Sequence, residues 1–162
     1  AVRALEEERR GGRVPEEIEK VLSLVSGDGK NTTVGSCIFA RKPGDGSARE
    51  QAASCQKVLG GFANVCYEYA TKRYRSNCIN WGIVPFTIDS DTKFDYSSGD
   101  YLYVPGIREG ILSGKEEFAG KIISGGTVND ITLYCRGLTD EEKLILTEGC
   151  LMNYYAAGYG AK

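Results

Sequence analysis

Apolar residues recur along this chain with two alternating periods, which lay out an order of elements. Val2 to Arg10, dense in Ala, Leu and Glu and closed by Gly11-Gly12, reads as a first helix. Pro15 opens a second, whose Ile18, Val21, Leu22 and Val25 form a stripe at helical spacing before Gly27-Asp28-Gly29 ends it. The charged outer faces of both read as solvated surface. Thr32 to Ala40 is a run of β-branched, aromatic and small apolar residues between Gly/Asp/Lys and Lys/Pro/Gly, which predicts a buried strand feeding a tight turn. Next, Ala48, Ala52, Cys55 and Leu59 fall at i, i+4, i+7 and i+11, a helical face of small residues suited to close approach to a sheet, with Gly60-Gly61 as its stop.

Phe62 to Glu68 predicts a second strand, Thr71 to Asn80 a short helix, and Ile83 to Ile88 a third strand with Pro85 at an edge or entry position. Asp89 to Asp100 is a polar loop around one short strand. Tyr101 to Val104, Gly120 to Ile123 and Thr127 to Cys135 read as further strands separated by Gly-bearing turns. Thr139-Asp140-Glu141-Glu142 is a capping box that opens a last helix, with Leu144, Ile145, Leu151, Met152 and Tyr155 largely on one face. Strands and helices mixed in this way predict an α/β domain. There is no internal repeat and no low-complexity tract.

The length of 162 residues suits one domain with a real hydrophobic core. A net charge of −2 offers no electrostatic footprint for nucleic acid. No apolar run approaches a membrane span and the opening does not read as a signal peptide, so the expectation is a soluble cytoplasmic domain without membrane association. The first residue is Ala rather than Met, which points to a processed, trimmed or excised piece. The six cysteines, Cys37, Cys55, Cys66, Cys78, Cys135 and Cys150, include no C-x-x-C pair. Most sit in strand-like or helix-like runs, where a reduced thiol acts as a small apolar filler, so they make a poor disulfide framework and a poor metal site. The absence of histidine excludes a His-based zinc site and any Ser–His or Cys–His dyad within the chain.

Chemistry concentrates in Gly44-Asp45-Gly46-Ser47-Ala48-Arg49-Glu50-Gln51-Ala52-Ala53. Ser47 falls at an expected helix N-cap and Glu50 at N3, the S-x-x-E capping box. Glycines before a helix let free backbone N–H groups face outward, and the helix dipole adds partial positive charge. Arg49 adds a planar fork suited to a carboxylate or phosphate. On spacing alone two readings stand: an anion site, or a plain cap beside a solvated arginine. Capping boxes are common, and the Lys of a phosphate loop is absent.

That decapeptide resembles the G-x-G-S-S-R-E-x-A-A signature of the aconitase superfamily swivelling domain. Arg75-Ser76-Asn77-Cys78-Ile79-Asn80-Trp81-Gly82-Ile83-Val84-Pro85-Phe86 is similar to that family's R-S-N-L-x-x-x-G-I-L-P-L segment. The resemblance covers roughly Thr32 to Tyr155 and looks closest to the hydratase-like branch of the superfamily. It implies a three-layer β/β/α swivelling domain over 1–162, with 1–29 a helical extension and 30–162 the core. It also implies reversible removal of water from a hydroxy di- or tricarboxylate, with a 4Fe–4S cluster ligated by another domain or subunit and no metal ligand here. By motif position Ser47 matches the catalytic serine base. Arg49 matches the arginine that grips a substrate carboxylate, and Ala48 and Gly46 complete the expected substrate-binding turn.

The implied partners are a cluster-bearing domain or large subunit and a small carboxylate substrate. Arg75, Ser76 and Asn77 either line the cleft or pack and cap. Three departures bear on the substrate: Ala48 stands where the family has a second serine, Tyr74 where many relatives have His, and Lys72 where they often have Arg. The competing expectation is a non-catalytic anion-binding or assembly module. Nucleic-acid binding, known in part of the superfamily, has little support from this charge.

Overall fold

The structure, a computed structural model, describes residues 2–160. Its helices and strands are α1 (Val2–Arg10), α2 (Glu16–Ser23), β1 (Ser36–Ala40), α3 (Arg49–Val58), β2 (Gly61–Cys66), α4 (Lys72–Asn80), β3 (Val84–Thr87), β4 (Tyr101–Tyr103), α5 (Ile107–Leu112), β5 (Glu117–Ser124), β6 (Thr127–Tyr134), α6 (Asp140–Glu148) and α7 (Leu151–Ala156). One sheet runs in the order β1-β2-β3-β6-β5-β4. Its first half is parallel, as the β-α-β-α-β succession requires, since parallel neighbours need crossover helices. Its second half is antiparallel, built on the β5–β6 hairpin that Gly125 and Gly126 close with positive φ. The halves meet through the single pair Thr87↔Tyr134.

Side chains from both halves share one core. Val65 and Phe86 come from the parallel half, and Phe118, Ile122 and Leu133 from the antiparallel half, with the Phe86 and Phe118 rings 5.9 Å apart edge to face. The other face of the parallel half is covered by α3 and α4, where Ala53, Tyr74, Cys78 and Ile83 form a second cluster. One continuous sheet with helices packed on its parallel half makes a mixed α/β domain, consistent with the three-layer β/β/α type expected.

Several expectations change in detail. The strand in Thr32–Ala40 is confined to Ser36–Ala40 and is the sheet's edge, with Cys37 and Ile38 exposed rather than buried. On α3 the buried face is Ala53 and Gln56, while Ala52, Cys55 and Leu59 of the small-residue stripe are exposed. Small size allowed close approach to a sheet but did not fix the phase of the helix. The last helix is two: Gly149 takes φ +93 and ends α6, and Met152 and Tyr155 stay exposed. Helix α5 carried no periodic signal, because it has only six residues with Gly110 inside. The capping box at Thr139 and Glu142 forms in both directions.

The opening helices are fastened to different elements, α1 to α3 and α2 to β4. Arg3 of α1 donates to the Val58 carbonyl at the end of α3, and the Tyr101 hydroxyl of β4 donates to Glu17 of α2. The strongest anchor is Glu6, 7% exposed, which accepts from Arg9 Nε at 2.8 Å, Arg10 Nε at 3.0 Å and the Val34 N–H at 2.9 Å. Burial by itself would raise the Glu6 carboxyl, but the bonds from Arg9, Val34 and Arg10 hold it below its ordinary 4.5. A carboxyl lowered on folding gives stability that is complete above its unfolded value and is lost as pH falls through the folded one. Glu6→Gln should therefore cost about 1–2 kcal/mol at neutral pH by leaving buried donors unpaired. The gap between the two proteins in denaturant melts should shrink as the pH drops below 4.5.

Candidate functional site

The turn between β1 and α3 lies at the carboxyl end of β1, beside the loop that leads from β2 into α4. The two loops are stitched together by the Ala70 N–H to the Pro43 carbonyl at 2.9 Å and by Tyr67 N–H to Arg41 O at 3.3 Å. Gly44 is held in the left-handed region at φ +98, and a Cβ there would fall 2.5 Å from Cβ of Tyr74, so glycine is demanded by both backbone and packing. At Gly46 neither holds: its φ is not positive, and a Cβ would meet nothing within 4 Å. Its bare backbone simply leaves that stretch of turn open to solvent.

Ser47 does not cap the helix. The N-cap is Ala48, at φ −90 and ψ 58, and no side chain bonds to the first turn of α3. The helix begins one residue later than the S-x-x-E spacing predicts, so the Ser47 hydroxyl is exposed and uncommitted. The first-turn N–H groups of α3 have no side-chain acceptor, which leaves them available to an anion.

Arg49 is half-buried, and its Nε–H donates to the Gly44 carbonyl at 3.2 Å. It forms none of the ion pairs found among the described residues. Its two terminal amino groups are therefore held in direction by the Nε bond and left unpaired. A concavity of about 240 Å³ opens here, lined by Pro43, Gly44, Asp45, Ala48, Arg49 and Tyr74 among others. Gly46, Ala48 and Arg49 are on its wall, whereas Ser47, exposed and between them in the chain, is not among its lining residues. Burial pushes the Tyr74 phenol up to about 12, with the neighbouring Cys78 adding to the shift, so Tyr74 is a neutral wall at physiological pH.

Sequence reasoning missed Pro43 and Asp45 as lining residues, and it assigned Ala52 to the sheet-facing side. Thr71 was also missed, although a threonine three residues before Tyr74 carries the ordinary N-cap signal and does cap α4. Arg75, Ser76 and Asn77 do not line the concavity. Arg75 Nη2 donates to the Arg136 carbonyl at 2.7 Å and its Nη1 stands 4.0 Å from Glu142, fastening α4 to α6.

The 4Fe–4S cluster that the resemblance implies finds no fitting ligand set among the described residues. No group of three His, Cys, Asp or Glu could hold a metal ion. Burial pushes the Cys66 and Cys135 thiols up to about 12 and Cys78 up to about 11, away from the thiolate form that ligation needs. Among the described residues no helix is long and apolar enough to cross a membrane.

A parallel β-α-β-α-β half joined to an antiparallel hairpin, with an uncapped helix start and an anchored, unpaired guanidinium at its edge, defines a mixed α/β domain. No family model matches the chain. Over 126 residues it is 31% identical to the 3-isopropylmalate dehydratase small subunit of Metallosphaera sedula, a match that takes in 77% of this chain and 68% of that one. Over 114 residues it is 28% identical to the aconitate hydratase A of Bradyrhizobium diazoefficiens, covering 68% of this chain but 12% of that enzyme's length. The crystal structure of 3-isopropylmalate dehydratase (LeuD) from Methanocaldococcus jannaschii superposes with a TM-score of 0.50 at 25% identity, over 90% of this chain and 80% of that one. The chain belongs to the aconitase superfamily, as a swivelling or small-subunit domain.

Proposed function

We propose that this chain is the C-terminal swivelling domain or small subunit of an aconitase-like hydro-lyase, acting on a hydroxy di- or tricarboxylate. It acts as one domain, with 1–29 a helical extension to a 30–162 core. Arg49 grips a substrate carboxylate, Ser47 handles the proton on carbon, and the Gly46–Ala48 backbone lets the substrate approach closely. The observation that supports this most is the Arg49 geometry: a guanidinium fixed through Nε, with both terminal amino groups free, two residues along the chain from an exposed serine.

A serine gives up its proton reluctantly, so a base role needs donors aimed at the alkoxide. The uncapped first turn of α3 provides N–H groups and the positive end of the helix dipole in that place. The cluster of the resembled enzymes has no seat among the described residues, so its ligands are assigned to another domain or subunit. Ala48 favours a second reading, a non-catalytic carboxylate-binding module, because the turn carries one hydroxyl where the family has two.

After iron–sulfur reconstitution, the chain alone should show neither hydration of aconitate nor dehydration of 3-isopropylmalate, the acids named in its relatives. Adding a cluster-bearing large subunit should produce turnover of one of them. A cubane spectrum together with turnover in the isolated chain would overturn the division of labour.

A further inference from the structure

Both lone pairs of the Gly44 carbonyl oxygen are occupied. Arg49 Nε–H donates to it at 3.2 Å and the Thr71 hydroxyl at 3.0 Å. The same Thr71 oxygen accepts the Tyr74 N–H at 3.2 Å, which caps α4. Capping uses only the acceptor side of a hydroxyl. The Thr71 proton is therefore spent on something the helix does not need, the orientation of a carbonyl in a different loop. Tyr74 presses on Gly44 as well, and its own hydroxyl is held from behind by the buried amide of Asn64 at 3.3 Å, which Gln56 of α3 supports in turn.

We infer that Thr71 is a positioning residue for Arg49, acting through the Gly44 carbonyl. The inference rests on the reading of Arg49 as the carboxylate grip. A guanidinium on a flexible stem has no direction of its own; the Nε bond supplies one only if its acceptor stays put. Gly44 lies in an irregular turn at φ +98, a backbone with wide freedom, so an acceptor there wanders unless a second donor pins it. Thr71 is that donor, and it stands on the cap of a separate helix. The link runs from the cap of α4, through one oxygen atom, to Arg49 on the wall of the concavity.

Thr71→Val keeps the shape and removes the hydroxyl, whereas Thr71→Ser keeps the hydroxyl. In the full chain, the Arg49 Nε–H nitrogen–proton resonance should be resolved and slow to exchange with water in the wild type and in Thr71→Ser, and lost in Thr71→Val. Aconitate, titrated into the same samples, should bind Thr71→Val roughly three- to tenfold more weakly, the range to which one net hydrogen bond converts, and Thr71→Ser should restore it.

A residue that merely capped α4 would lower the melting temperature and leave both readings unchanged, and that result overturns the inference. So does a wild-type Arg49 Nε–H that exchanges freely, whether or not Thr71→Val folds. If the resonance responds to Thr71→Val while aconitate binding is indifferent to Arg49→Lys, the carboxylate-grip reading fails and the Thr71 link stands.

Discussion

Ser47→Ala in the assembled enzyme is expected to lower kcat by about 10²- to 10⁴-fold with little change in KM, the span that a positioned proton-transfer group contributes. The structure makes this a clean substitution. Ser47 is exposed, and the helix it precedes is capped by Ala48 without a side-chain bond, so removing the hydroxyl takes nothing from the fold. Its effect on stability should stay within about 0.5 kcal/mol, as for other surface positions, where a true N-cap serine would cost about 1 kcal/mol. A loss of turnover could then not be blamed on unfolding. If the chain is instead a binding module, steady-state kinetics will show a shifted KM with kcat intact, and the catalytic role falls.

Arg49→Lys is expected to raise KM for the carboxylate substrate by about 10- to 100-fold while kcat changes far less. Charge is conserved in this variant, so the effect isolates geometry. Arginine bonds the Gly44 carbonyl through Nε and still presents two amino groups in a plane that matches a carboxylate. Lysine has a single nitrogen, which must choose between the carbonyl and the ligand. Charge-assisted hydrogen bonds are worth about 1.5–3 kcal/mol, which sets the stated range. Initial-rate measurements that returned an unchanged KM would mean that Arg49 faces solvent in the working enzyme.

What the sequence carried well was local. Runs of β-branched residues bounded by glycine placed β2 and β3 to within about two residues, and Thr139 with Glu142 announced α6 because both halves of that motif lie within one turn. The Ser47–Arg49 turn was legible for the same reason, as hydroxyl and guanidinium stand two residues apart in a glycine-bearing segment.

The errors are those of tertiary context. Ala48, Ala52, Cys55 and Leu59 share a helical face, but which face a helix buries depends on partners elsewhere, here Tyr74, Cys78 and Ile83 around Ala53. Gln56, a polar residue, was passed over for burial, yet it is 5% exposed because Asn64 of β2 meets it. The start of α3 slipped by one residue because Gly44 is fixed by Tyr74 and Thr71, which lie about 30 residues on and are invisible to spacing. The fastening of Arg75 to α6 depends in the same way on Arg136 and Glu142, far along the chain.

The parallel strands run β1-β2-β3 with no reversal of order, and reversals are where open α/β sheets form an internal crevice for ligands. The concavity therefore sits beside the border strand and faces outward, and a guest resting in it keeps one side in water. On the proposed reading, selectivity for that guest is divided between this turn and whatever body closes over the wet side.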